Sequence, residues 1–201
     1  MPSNIKATTR SDPFHEYTIY RNSMLTADLV EFASYTPLGW IIRKGTGRKV
    51  NHSAFLWRID QYSGIKDRLF LLEALNAGLE WNSLSQRIHN FRGQVYWSSL
   101  IVNDKQRERM LALAVEAATK IRREKRYDYL SLIRNAYRKV NINPKYWFCS
   151  EFYHYLLIAI GLLPKGEKAR RPGEFHELPI FVERKLIYDS NWGEDDGDGR
   201  S

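Results

Sequence analysis

The sequence has one cysteine in 201 residues, which rules out an internal disulfide and any cysteine-rich zinc module. No run approaches the ~18 consecutive apolar residues of a bilayer-spanning helix. The opening residues, MPSNIKATTRSDPFHEY, contain no apolar stretch of the kind that directs export. Synthesis in the cytoplasm is therefore expected, and a phage-encoded or delivered protein would read the same way. There is no internal repeat, no Pro/Gly/Ser-rich linker, no zinc-finger spacing and no RNP-like aromatic motif. Acids are in deficit, with 23 Asp+Glu against 31 Lys+Arg, a net charge of +8. Hydrophobic residues make up 43 %, enough for a real core and against wholesale disorder. One domain is expected at this length.

The charge is uneven. The tail from Trp192 is Gly-rich and acidic and reads as unfolded. Without residues 194–201, which hold four acids and one base, the surplus rises from +8 to +11. Such a body suits an acidic partner: nucleic acid, anionic lipid or a polyanionic cell-wall substrate. The densest basic run, Lys120, Arg122, Arg123, Lys125 and Arg126, closes a predicted helix. Cations there complement the helix dipole, so a solvated helix end explains them as well as a binding patch does.

Local signals lay out an α+β chain. Thr36 is a natural N-cap with Pro37 at the first helical position, and Gly45 is a natural stop, giving a short helix with Leu38, Ile41 and Ile42 facing inward. Three aromatic and aliphatic stretches follow as strands: His52–Asp60, Arg68–Leu75 and Gln94–Val102. Short connections suggest that the three form an antiparallel meander, with a short helix over 82–90 capped by Asn82 or Ser83. After Asn103 a long amphipathic helix runs to about Lys125, with Met110, Leu111, Ala114, Ala117, Ala118 and Ile121 on its apolar side. Further helices are expected over 129–140 and 149–160, the latter closed by Gly161 with Pro164 beyond.

The chemistry concentrates at Cys149, where an aromatic lead-in meets an apolar helix. A thiol at a helix start lies beside unpaired N–H groups and the positive dipole end, which favours thiolate. The same N–H groups can hold an oxyanion. Positions 149, 152, 153, 156, 157 and 160 share one face, so Cys149 should point toward the sheet. The plainer reading is a small buried hydrophobe. A thiolate needs a base. His52 opens a strand after a glycine-containing turn and can reach a cleft. His154, about 500° around the helix from Cys149, diverges from it. His15, His89 and His176 fall in segments of no special geometry. Glu73 interrupts the apolar run Leu69–Leu75, and an acid there is costly unless paired, for instance with His52 on the next strand. The alternative places Glu73 on a solvent-facing side.

In this order these residues resemble the circularly permuted papain-like hydrolases of the NlpC superfamily, in particular the bacterial YiiX-like branch related to lecithin:retinol acyltransferase-like proteins. The resemblance rests on Leu25-Thr-Ala-Asp-Leu-Val30, Trp40 to Gly47 followed by Val50-Asn-His-Ser-Ala54, and Leu72-Glu-Ala-Leu75 with Gly78. It continues with Tyr127-Asp-Tyr129, Phe148-Cys-Ser-Glu151 with Gly161, and the segment from Arg170-Arg171-Pro172 to Leu178. It spans roughly residues 24–181, and Ala27 stands where the family usually has glycine.

A lead-in over 1–20 and an acidic tail over 191–201 lie outside the resemblance, which implies that the body over 21–190 is a catalytic domain with a small antiparallel sheet against a nucleophile-bearing helix and further helices. It makes Cys149 the nucleophile, His52 the general base and acid, and Glu73 the residue that orients His52. The implied reaction is acyl transfer on an amide or ester of a small molecule, peptide or lipid, through a thioester, with no metal and no organic cofactor. The positive body favours an anionic substrate. The rival class is a non-enzymatic basic protein binding nucleic acid, anionic membrane or cell-wall polymer on the same scaffold.

Overall fold

A computed structural model describes residues 12–62, 65–75, 78–123 and 148–192. The predicted helix over 129–140, the Tyr127–Tyr129 motif, Lys125, Arg126 and the tail from residue 193 lie outside the described residues, as do the side chains of Lys120, Ile121, Arg122 and Arg123. The architecture is α+β: one six-stranded antiparallel sheet with helices on both faces. The strands are β1 (Leu29–Ser34), β2 (His52–Tyr62), β3 (Ile65–Leu75), β4 (Gly78–Ser83), β5 (Gly93–Ser98) and β6 (Lys185–Asp189), in the order β4-β3-β2-β1-β5-β6.

The expected meander is corrected here. β2 and β3 pair as predicted, but the third stretch, shorter than expected, pairs with β1 and β6. The free edge of β3 is taken instead by β4. β4 escapes a hydrophobic reading because only Leu79 and Trp81 of Gly-Leu-Glu-Trp-Asn-Ser face the core; Glu80 and Asn82 alternate with them. At the start of β5, Gly93 has φ +148°, and a Cβ there would come within 2.1 Å of the Ala33 carbonyl oxygen, so only glycine lets β1 and β5 approach.

Alternation along the strands divides the core in two. On one face Leu29, Phe55, Leu72, Ala74 and Leu79 pack against α4 (Asp104–Arg123) and α5 (Phe148–Ala159) through Met110, Ala114, Phe152, Tyr153, Leu156 and Leu157. On the other, Val30, Phe32, Ala54, Leu56, Leu71 and Val95 are covered by Tyr17 of α1 (His15–Tyr20), Leu84 and Ile88 of α3 (Leu84–His89), and Phe91. No helix among the described residues is long and apolar enough to cross a membrane.

The helix ends follow local chemistry. Asn103 and Gln106 cap α4 reciprocally: the Gln106 N–H donates to Asn103 Oδ1 at 2.9 Å and the Asn103 N–H to Gln106 Oε1 at 3.1 Å. At the end of α5, Gly161 has φ +82° and the Leu162 N–H reaches back to the Leu157 carbonyl at 2.9 Å, which satisfies carbonyls the helix leaves open. Helix α2 (Pro37–Thr46) starts as expected, with the Gly39 N–H donating to Thr36 Oγ1 at 3.2 Å. It runs past Gly45 to a left-handed Gly47, because Gly45 keeps helical geometry. Its inward set is corrected as well: Ile41 is 59 % exposed, and the side chains of Leu38 and Ile42 lie outside the described residues.

The turn into β1 is tied by a buried carboxylate. Asp28 accepts the N–H groups of Leu25 (2.9 Å) and Leu100 (3.0 Å), the Trp97 indole N–H (2.9 Å) and the Arg107 guanidinium (2.8 Å). Ala27, where glycine was expected, takes the left-handed conformation at φ 73°.

Candidate active site

His52 is the first residue of β2, and Glu73 lies two residues from the end of the neighbouring β3. His52 Nε2 and Glu73 Oε1 are 2.8 Å apart, with 13 % of the histidine side chain and none of the glutamate exposed. Glu73 is thus buried and paired, and the solvent-facing alternative does not hold. Two further groups converge on it: Asn82 Nδ2 donates to Oε2 at 2.9 Å, and Arg87 Nε lies 3.3 Å from both oxygens. Burial pushes the Glu73 carboxyl up, but the hydrogen bond and charge of His52, with Arg87, more than offset this and hold it below the ordinary glutamate value. A carboxylate in that setting accepts the Nε2 proton and so fixes the orientation of the ring.

The ring packs on Phe32 and borders a cleft. Phe32 lies 5.7 Å from the imidazole centroid, and the Arg87 guanidinium sits 5.1 Å over Phe32 and 5.3 Å over Phe91. A cleft of about 500 Å³ borders His52, walled by Arg87, Phe91 and Arg92 on one side and by Thr36, Gly39 and Asn51 on the other. Its mixture of cationic, amide and hydroxyl groups around an aromatic floor suits a polar or anionic ligand.

Cys149 is the second residue of α5, in the first helical turn. Its side chain lies outside the described residues. The described residues therefore bring His52 and Glu73 together, and the thiol's distance from them is not among the described contacts. The faces of the sheet bear on that distance. His52 shares the side of β2 that carries Ala54 and Leu56 and touches Phe32, whereas the body of α5 packs on the opposite face against Phe55 and Leu72.

Beside Cys149, Glu151 is almost fully buried, and burial pushes its carboxyl up to about 7. His154 is also buried, its Nε2 3.4 Å from the Glu167 carbonyl oxygen, and burial lowers its pKa. His176 Nδ1 lies 3.7 Å from Glu31 Oε2, on the α5 face, where Arg184 Nη1 is 3.5 Å from the same oxygen. His15 and His89 are exposed.

Asn82 was read only as a candidate helix cap, a place that Ser83 takes, and Arg87 was not singled out; their role at Glu73 arises only when β4 and α3 fold against β3. Glu31 was legible by the signal that marked Glu73, an acid in an apolar strand (Leu29-Val-Glu-Phe-Ala33). Among the described residues no group of three or more His, Cys, Asp or Glu side chains is placed to hold a metal ion.

No family model matches the chain, and no curated protein matches it. Among solved structures, the crystal structure of metalloprotein YiiX from Escherichia coli O157:H7 is similar in fold, with 15 % identity and a TM-score of 0.49 over 69 % of this chain and 67 % of that one.

Proposed function

We propose that the chain is a thiol-dependent hydrolase of permuted papain-like, YiiX-like design. The observation that carries the reading is a wholly buried glutamate held 2.8 Å from the Nε2 of a histidine that borders an open cleft. Glu73 fixes the ring and its tautomer. Nδ1 of His52 takes the proton of Cys149, and the thiolate attacks an amide or ester carbonyl to form a tetrahedral oxyanion, held by N–H groups of the first turn of α5. The same nitrogen gives the proton to the departing amine or alcohol, leaving a thioester. It then takes a proton from water, whose hydroxide releases the acid and restores the thiol. Because α5 packs on the other face, the mechanism requires the thiol to reach the ring at the end of the sheet where β2 begins.

Alkylation by iodoacetamide tests this at one atom, since the sole cysteine makes the product unambiguous by mass. Cys149 should react at pH 6 far faster than a simple thiol, and His52→Ala should return it to the profile of a free cysteine ionising near ~8.5. A wild-type thiol that already follows the simple profile, unchanged by His52→Ala, overturns the reading. The rival reading, a binding protein for an anionic polymer, draws on Arg87 and Arg92 at the cleft. It predicts salt-sensitive binding that survives Cys149→Ala.

A further inference from the structure

Among its described side chains, helix α2 meets the body through Gly39 and Arg43. Gly39 sits so close to Ser34 that a Cβ there would lie 2.7 Å from the Ser34 Cβ, and Arg43, one turn on, donates to the Ser34 carbonyl. At about 100° per residue, Ile41 then lies opposite that contact and Trp40 on its flank. They are 54 % and 59 % exposed. Lys44 follows Trp40 by one turn and holds its ammonium 4.9 Å from the indole centroid.

The surrounding charge has one sign. From Phe32 to Trp57 the chain carries four bases, Arg43, Lys44, Arg48 and Lys49, and no acid. Arg48 is engaged by Glu174 and Glu177, whereas Lys44 and Lys49 are exposed and have no acidic partner among the described residues. Thr36 and Gly39, at the start of this helix, also wall the cleft beside His52.

We propose that α2 is a docking element for an anionic lipid surface, with Trp40 and Ile41 entering the interfacial layer and Lys44 and Lys49 engaging headgroup phosphates. Tryptophan and a short aliphatic ridge beside lysines match the polarity gradient at a bilayer surface. Lysine is depleted at the centres of protein–protein contacts, and a lysine stacked on an exposed indole favours headgroups over a second protein. The inference stands apart from the thiol chemistry, and it places the cleft next to the membrane plane.

The test is co-sedimentation of the full chain with vesicles of phosphatidylglycerol or of phosphatidylcholine. Binding should be at least ten-fold stronger to phosphatidylglycerol. Trp40→Ser with Ile41→Ser should weaken it about ten-fold or more, with the melting temperature unchanged because both side chains are exposed. Lys44→Glu with Lys49→Glu should weaken it at least about 25-fold, since each cation near an anionic surface contributes about five-fold. Absence of binding to phosphatidylglycerol overturns the proposal. So does binding that the Trp40/Ile41 variant retains in full, which would mark unspecific charge attraction. A concentration-dependent dimer abolished by that variant, with no vesicle binding, would assign the surface to a second copy of the chain instead.

Discussion

Replacing Glu73 with glutamine separates the roles of charge and shape at the candidate site. The carboxylate is fully enclosed and takes donors from His52, Asn82 and Arg87. Glutamine keeps the volume but turns one acceptor oxygen into an NH₂ group, so at least one of those donors must face another donor. Arg87, with 30 % of its side chain exposed, can turn to water. His52, with 13 % exposed, has less access. One lost charge-assisted hydrogen bond, about 1.5–3 kcal/mol, plus a partly unsatisfied donor, about 1 kcal/mol, gives a loss near 3 kcal/mol. For a domain of this size that lowers Tm by roughly 6–12 °C.

The loss should depend on pH. The folded carboxyl lies below its ordinary value of 4.5, so its contribution is complete above that value and fades as pH falls through the lower folded one. Urea unfolding followed by tryptophan fluorescence should show the full gap between wild type and Glu73→Gln at pH 7 and a smaller gap near pH 3. Alkylation of Cys149 at pH 6 should slow in the same variant, because the ring loses its fixed tautomer. In a related triad the corresponding change costs about 10⁴ in turnover. Unfolding free energies that agree within about 0.5 kcal/mol at pH 7 would refute the structural argument, and superimposable alkylation profiles would refute the catalytic one.

Asp28→Asn should cost about 3–5 kcal/mol, since it strips the counter-charge from an Arg107 side chain only 11 % exposed. Adding Arg107→Met should cost clearly less than the sum of the two single changes, and strict additivity in urea unfolding would show that the pair is not coupled. Glu151 gives the opposite pH signature to Glu73. Its folded pKa, about 7, lies above the ordinary 4.5, so its contribution is complete below pH 4.5 and is lost as pH rises through 7. The loss is at most about 3 kcal/mol, and less to the extent that water reaches the carboxyl. Glu151→Gln should flatten the stability profile between about pH 5 and 8, and an unchanged slope would contradict the burial that raises it.

Elements governed by a few adjacent residues were legible in the chain. Thr36 with Pro37, Asn103 ahead of α4 and Gly161 after α5 each settle a helix end through groups within five residues, so reading them needs no knowledge of the fold. Beyond the β2–β3 pair, the strand neighbours were not legible in this way. β5 meets β1 across more than fifty residues, and β4 hides its apolar side in an alternation that spares only Leu79 and Trp81. Ile41 fails for a related reason: an amphipathic helix shows which residues share a side, but not which side meets the body, and among the described side chains the contact goes through Gly39 and Arg43.

The candidate site follows the same division. An acid in an apolar strand declares that it must be paired, and Glu73 could be read that way from Leu69–Leu75 alone. What pairs with it could be only partly read. His52 was available from its place at a strand start, whereas Asn82 and Arg87 reach Glu73 only through the placement of β4 and α3. The same declaration at Glu31 is met by Arg184, with His176 nearby, on the face where α5 packs. Two buried carboxylates, each beside a histidine, thus lie on opposite faces of one sheet, and a period of two along β1, β2 and β3 decides which histidine shares a face with which helix. The alkylation experiment can use that fact directly: if His176→Ala and not His52→Ala returns Cys149 to ordinary thiol behaviour, the base belongs to the α5 face and the assignment of His52 falls.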